Sequence, residues 1–286
     1  GMPTIVVPLG ESTLAEEALP WAAYLARAYE CSVKLLTVWD AGHHVLERVA
    51  LHHRPVAGAV EGELRSYLRR VAQRADLAGV AVTEEVRSGH VQSELRAAVD
   101  ELDVRLVALT THGRGGLRRF TMGSIADSLI RTATRSALVV HPASSRPPVA
   151  RILVPLDGSA TAELALAEAR DLAAALGAEI HLLRAVDLLG QIGMPWPAYG
   201  IDDAREQLTA WAEEYLGAVE HPGETHSVAE GRPLDVILDY ADRHGCGIIV
   251  MGTHGRGGVR RLALGSTADA VMRAADRPVL LVRTQP

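Results

Sequence analysis

The sequence predicts an α/β protein made of two tandem doubly wound domains, residues 2–143 and 149–286, each a parallel sheet covered by helices on both faces. Three observations predict it. First, the text repeats. "TIVVPLGESTLAEEALPWAAYLA" (Thr4–Ala26) returns as "RILVPLDGSATAELALAEARDLA" (Arg151–Ala173), and "LTTHGRGGLRRFTMGSIADSL" (Leu109–Leu129) as "MGTHGRGGVRRLALGSTADAV" (Met251–Val271). Second, each copy alternates short apolar runs with helical periodicity, which implies parallel strands buried on both faces. Third, the same glycine-rich segment follows the fourth apolar run of each copy, at the strand end where such sheets bind ligands.

The second copy justifies its elements in order. "RILVPL" is a short apolar strand, and "ATAELALAEARDLAAALG" is a helix that stops on Gly177. "EIHLLRAV" is the next strand and "DDAREQLTAWAEEYLGAV" the next helix. "ETHSVAEG" has the weak apolarity of an edge strand. "PLDVILDYADRHG" is a helix with Pro233 at its start and Gly245 after it. "GIIVMG" is a buried strand, "GSTADAVMRAAD" a helix, and "RPVLLVR" the fifth strand. Right-handed crossovers turn this βαβαβαβαβ order into a doubly wound sheet. The first copy reads alike, except around "AGHHVLERVALHHRPVAG". Pro8 recurs at Pro155 and Gly113 at Gly255, an offset that shortens by about five residues in between. "HPASSRPPVA" (His141–Ala150) reads as the linker.

Bulk composition excludes several classes. The net charge of -6, a pI near 6.1 and 4% aromatics oppose a nucleic-acid surface or base-stacking platform. No apolar run reaches about 18 residues, so no membrane span is expected. Cys31 and Cys246 form no CxxC pair, which fits a reduced, cytoplasmic protein with two small buried cysteines. The one lysine, Lys34, stands in the strand-like run "SVKLLTVW", so no Walker-type phosphate loop exists.

Two readings of the glycine segment stand side by side. Gly252 and Gly255 bracket Thr253 and His254, and Gly265 and Ser266 open the following helix. Glycines let a backbone turn with positive φ or approach a ligand closely, and a helix N-terminus offers free donors and a dipole. Together these make a phosphate cradle. The other reading is ordinary capping: Ser124 and Ser266 are followed three residues on by Asp127 and Asp269, close to a capping box. Arg118, Arg119, Arg260 and Arg261 are then solvated charges on a surface loop. "GTHGRGG" does not meet the GxGxxG dinucleotide fingerprint.

A glycine, two residues, a glycine, nine residues, then glycine and serine resembles the ATP-binding pattern of the universal stress protein family; Gly252, Gly255, Gly265 and Ser266 match it. The likeness spans both halves, so the chain looks like a tandem member. The resemblance implies a Rossmann-like, five-stranded parallel sheet of order 3-2-1-4-5 per domain. It implies fifth strands that pair across the copies, giving an intramolecular pseudo-dimer, and a possible homodimer. It implies ATP as ligand, with or without Mg²⁺, and a regulatory role with an unknown protein partner. Carried over, Asp157 lies near the adenosine and the Ala185 backbone meets adenine. Met251 packs at the base, with Gly252 near ribose and phosphate. Gly255, Gly265 and Ser266 hold the phosphates. Arg256 or Arg260 is not part of the carried-over pattern, but a cation in that segment is suited to add charge beside phosphate. Without a nucleotide, Asp157 caps the helix that begins near Ser159, and Ala185 and Met251 are core residues. The first copy keeps Gly113, Gly123 and Ser124 but has Gly10 in place of the aspartate and Thr110 in place of the first glycine. The Cβ of Thr110 opposes a positive φ or a close ribose approach, and Glu11 is one residue out of register. Binding is therefore expected mainly in the second copy.

Other groups stay open. His43, His44, His52 and His53 form two pairs that could bind a metal, or are exposed histidines. His112 and His254 touch phosphate or sit in turns. "GQIGMPWPAYGIDD", with Trp196 and Tyr199, is a lid, a partner surface or plain turn chemistry. No Ser/His/Asp arrangement or metal motif supports hydrolysis, so any ATPase is expected to be slow. Three functions compete: a nucleotide-binding regulator, a slow ATP hydrolase, and an interaction module without nucleotide.

Overall fold

The computed structural model describes residues 1–10, 13–40, 57–111, 123–191, 200–253 and 264–283. The chain forms two compact units, one built on Gly1–Pro147 and the other on Pro148–Arg283. In the first, β1 (Thr4–Pro8), β2 (Ser32–Trp39), β3 (Val82–Ser88), β4 (Val104–Thr110) and β5 (Ser136–Val140) stand in the order β3-β2-β1-β4-β5. Its helices are α1 (Leu19–Tyr29), α2 (Ala57–Ala72), α3 (Val91–Val99) and α4 (Ser124–Thr132). In the second, β6 (Arg151–Pro155), β7 (Glu179–Val186), β8 (Thr225–Glu230), β9 (Ile248–Gly252) and β10 (Val279–Val282) stand as β10-β9-β6-β7-β8. Its helices are α5 (Ala160–Leu176), α6 (Ile201–Val219), α7 (Pro233–Arg243) and α8 (Ser266–Ala274). Both orders are the expected 3-2-1-4-5, and the pairings between these strands are parallel. In the first copy, α2 comes after the stretch that the sequence left unclear; residues 41–56 of it, with His43, His44, His52 and His53, lie outside the described residues.

The central strands carry the core. Ile5, Val6 and Val7 of β1 and Ile152, Leu153 and Val154 of β6 have no exposed surface. Full burial of each is worth roughly 1.5–3 kcal/mol, and a strand covered on both faces must be apolar at every position, as these runs are. The edge strands β3 and β8 are only half-buried, with exposed positions among them, which matches the weak apolarity of "ETHSVAEG". α5 ends on Gly177 in the left-handed region at φ 66. The first copy has Glu30 in that role, at φ 53, where a side chain makes the same turn at some cost.

Polar contacts differ between the copies. On β2, Lys34 Nζ meets Glu101 Oε2 at 3.0 Å and Glu85 Oε2 at 3.4 Å. In the second unit, Arg170 of α5 forks onto Glu224 ahead of β8. His226 of β8 is held against α6 between two carboxylates, Glu220 at Nδ1 and Glu213 at Nε2, the latter at 2.8 Å. The hydrogen bond to Glu220, more than any other contact, raises its pKa above the ordinary 6.5. A raised imidazole pKa stabilises the fold below the unfolded value, and that stabilisation is lost as pH rises through the folded one. The α6–β8 packing is therefore expected to weaken as pH rises above about 6.5. Urea midpoints at pH 6 and pH 8 check this. His226→Gln should remove the His226 share of the difference, and an unchanged difference would rule His226 out as its source.

Candidate functional site

β6 and β9 are neighbours in the second sheet. The chain leaves β6 towards β7 on one side and returns to β9 on the other, so the loops beyond their carboxyl ends diverge around a crevice. A cleft of about 150 Å³ lies there. Leu156 and Asp157 enter it from the end of β6, and Leu183 and Ala185 from β7. Met251 and Gly252 form its floor from β9, and Gly265, Ser266 and Thr267 its far wall from the start of α8. Six sequence-predicted positions, Asp157, Ala185, Met251, Gly252, Gly265 and Ser266, thus share one cleft. Gly255, Arg256 and Gly113 lie outside the described residues, as do Arg260, Arg261, His112, His254, Trp196 and Tyr199. Gly123 and Ser124 take the N-cap and first positions of α4 in the first unit.

Two local expectations need correction. Gly252 does not serve a positive φ, and neither does Gly265. Gly252 is small for another reason: a Cβ there would stand 2.6 Å from the backbone oxygen of Thr161 and 3.0 Å from its carbonyl carbon. The first turn of α5 thus rests directly on the end of β9. The capping reading of the serines also fails. Glycine, not serine, occupies the N-cap of α4 and of α8, with no side-chain cap in either. Asp127 and Asp269 instead bind Arg131 and Arg273 one turn on, at 3.1 and 3.2 Å. Gly265 N donates to the Thr253 carbonyl at 2.5 Å, which draws the start of α8 to the tip of β9. The exposed Ser266 hydroxyl and the first amides of a nine-residue helix then border the cleft.

Asp157 does not cap α5 itself. Ser159 does, its Oγ accepting from Ala162 N at 3.2 Å, while Asp157 Oδ1 accepts from Ser159 N at 2.8 Å. That bond aims the Asp157 turn at the cleft mouth. Behind it, Tyr215 of α6 donates its hydroxyl to Glu163 Oε1 at 3.1 Å, and Arg184 lies over the Tyr215 ring at 5.0 Å. Burial, and then Glu163, push the Tyr215 phenol up to about 12, so it stays a donor.

The same place in the first unit is built differently. Thr110 replaces Gly252, is buried, and bonds through Oγ1 to the Ala15 carbonyl at 3.3 Å. The segment that matches the first turn of α5 is a 3-10 helix, Thr13–Ala18, and the α-helix starts only at Leu19. Sequence reasoning missed Pro233 and Ile237 of α7, which form a wall of the cleft. Their spacing of one helical turn, on a helix that begins just beyond an edge strand, was the available signal. It also missed the carbonyls of Thr161 and Thr253, since backbone oxygens leave no mark in a sequence. Among the described residues no cluster of His, Cys, Asp and Glu could hold a metal, and no helix is long and apolar enough to cross a membrane.

The model of the Universal stress protein family matches residues 2–141 and again 148–283. Among curated proteins, the chain is 29% identical to the universal stress protein Rv1996 of Mycobacterium tuberculosis, over 98% of this chain and 94% of that one. It is 27% identical to a universal stress protein of Mycolicibacterium smegmatis, over 98% and 96%. Among solved structures, a universal stress protein from Archaeoglobus fulgidus superposes with a TM-score of 0.72 at 20% identity, covering 98% of each chain.

Proposed function

This chain belongs to the universal stress protein family, and from that premise we propose that it is a nucleotide-binding regulatory protein that takes ATP or a similar adenine nucleotide in the cleft of its second unit. One observation carries the proposal: an uncapped helix N-terminus, a backbone-tight glycine and an open strand edge converge on a single crevice at the switch point of the sheet. The helix start provides amides and a positive dipole end for phosphate oxygens. Asp157 provides a carboxylate suited to ribose hydroxyls.

The strand edge supplies a reason for adenine. Pairing of β6 with β7 reaches Pro155 and Leu183, and Leu156 N donates to Leu183 O at 2.8 Å as the last bond on that side. Ala185, two residues further along β7, turns its own N–H and C=O to that same side, where the cleft is. A donor beside an acceptor complements the N1 acceptor and the amino donor of adenine. Guanine presents the opposite order and would leave both backbone groups unmatched.

The test is calorimetric titration of ATP, with and without Mg²⁺, into nucleotide-free protein, alongside GTP and a Gly265→Asp variant. One ATP per chain, with GTP at least tenfold weaker and binding lost in the variant, is the expected result. The variant sets a carboxylate where phosphate would lie. Two ATP per chain, with one lost in the variant, would mean that the first unit binds as well. No binding in the unmodified protein would overturn the proposal and leave an interaction module that has kept only the fold.

A further inference from the structure

In the second unit two buried aromatic side chains, His181 and Tyr240, are covered by a third, the exposed His244. His181 of β7 is 8% exposed and Tyr240 of α7 is 9% exposed. His181 Nδ1 meets Tyr240 Oη at 3.0 Å, and Tyr240 Oη meets Ser227 Oγ of β8 at 3.4 Å. His244, at the C-cap of α7, stacks on the Tyr240 ring at 3.9 Å, and its ring centre lies 5.9 Å from that of His181. The charged groups around them are few. Glu179 Oε2 of β7 is 3.7 Å from His181 Nε2, but the Glu179 side chain is mostly exposed. Arg151 of β6 binds Glu179 at 3.3 Å and the His244 carbonyl at 3.2 Å. Thr225, the β8 neighbour of His181, is neutral.

We propose that His181, Tyr240 and His244 are a proton-operated latch that ties α7 to β7, closed near neutral pH and released in mild acid, and that it regulates ligand binding in the cleft. The regulatory half rests on the nucleotide reading given above. Both elements that the latch joins continue into the cleft: β7 as Leu183 and Ala185, α7 as Pro233 and Ile237. Neutral His181 can accept the Tyr240 hydroxyl proton at Nδ1. Once protonated, His181 Nδ1 can only donate, so the bond must reverse: Tyr240 Oη accepts it and turns its own hydrogen towards the longer contact with Ser227. The new cation is also buried, beside His244 and near Arg151, with only an exposed carboxylate to offset it. Burial is the main reason that the His181 pKa lies below the ordinary 6.5, with His244 and Arg151 adding to it and Glu179 opposing. A lowered imidazole pKa makes the open state, where the ring is solvated, gain protons first as pH falls below about 6.5.

The first unit is a control within the same chain. Lys34 occupies the strand position of His181 in the repeat, and it is paired with Glu101 and Glu85. A lysine does not change charge in this pH range. The matching helix α3 should therefore not respond as α7 does.

Hydrogen exchange of the whole chain at pH 7.5 and 5.5, corrected for the intrinsic pH dependence of exchange, tests the latch without any ligand. Protection across α7 is expected to fall at least threefold in acid relative to α3. In His181→Asn, whose amide oxygen can still accept from Tyr240, that fall should vanish. ATP affinity measured at both pH values should drop at least threefold more in the unmodified protein than in His181→Asn; the comparison cancels titration of ATP itself. Equal protection of α7 at the two pH values, or an unchanged fall in the variant, would overturn the latch. Loosening of α7 with no difference in the ATP comparison would overturn its control of the cleft. Loosening of α7 with no ATP binding at either pH would support the latch and overturn the nucleotide reading. If His181→Asn does not fold, Tyr240→Phe, which removes the same hydrogen bond, is expected to weaken the pH response of α7, and an unaltered response would overturn the latch.

Discussion

Gly252→Thr is expected to abolish ATP binding by the second unit, with a loss of at least a hundredfold in affinity. The added Cβ would lie 2.6 Å from the Thr161 backbone oxygen, a distance that no side-chain adjustment relieves. The first turn of α5 must move, and the Ser159 cap and the Asp157 turn move with it. The first unit shows an arrangement compatible with a threonine: Thr110 bonds to the Ala15 carbonyl, and the leading turn is a 3-10 helix. Forcing a side chain into a packed contact of this kind costs about 1–3 kcal/mol in stability, so the variant should still fold. Urea denaturation beside calorimetry separates the two effects. A stable variant that binds ATP as the parent does would show that contact between α5 and β9 does not shape the site. The reverse change, Thr110→Gly, should not create a site by itself, because Gly10 still lacks the carboxylate that Asp157 supplies.

The second large effect lies away from the cleft. Arg170→Met should destabilise the second unit by about 3 kcal/mol, the lower end of what breaking a buried ion pair costs. Arg170 grips Glu224 with Nε at 2.6 Å and Nη2 at 3.0 Å, and also reaches the Val219 carbonyl at 2.6 Å. The Glu224 side chain is only 8% exposed. Its burial raises the carboxyl pKa, but Arg170 and the His221 amide outweigh that, and the net shift is downward from 4.5. A lowered carboxyl pKa adds stability above the unfolded value, which is lost as pH falls through the folded one. Arg170 favours the ionised carboxylate, so its removal costs most where Glu224 is ionised and less once the carboxyl is protonated. The loss in urea midpoint should therefore be larger at pH 7 than at pH 4.5. A loss under about 1 kcal/mol would place this pair among ordinary surface contacts.

Some of this molecule was legible in its residues alone. The duplication, the five strands per copy and their parallel direction follow from apolar runs separated by helical periods, because burial on both faces leaves a strand no polar alternative; the strand order came from the family resemblance. The glycine and serine spacing marked the strand end that lines the cleft, and the departures at Gly10 and Thr110 marked the first copy as different. What tertiary structure alone decided is why those residues matter. Gly252 is small because a carbonyl from a helix about ninety residues earlier in the chain presses on it, not because its own backbone is left-handed. Ser266 is free because Gly265 takes the cap position, a matter of where the helix begins by one residue. Pro233, Ile237 and the His181–Tyr240–His244 group are built from elements far apart in the chain. Sequence pattern reports what each element must bury, since that is a property of its own side chains. It does not report which backbone atoms meet across elements, since every residue carries the same carbonyl and only packing brings one of them to a particular place.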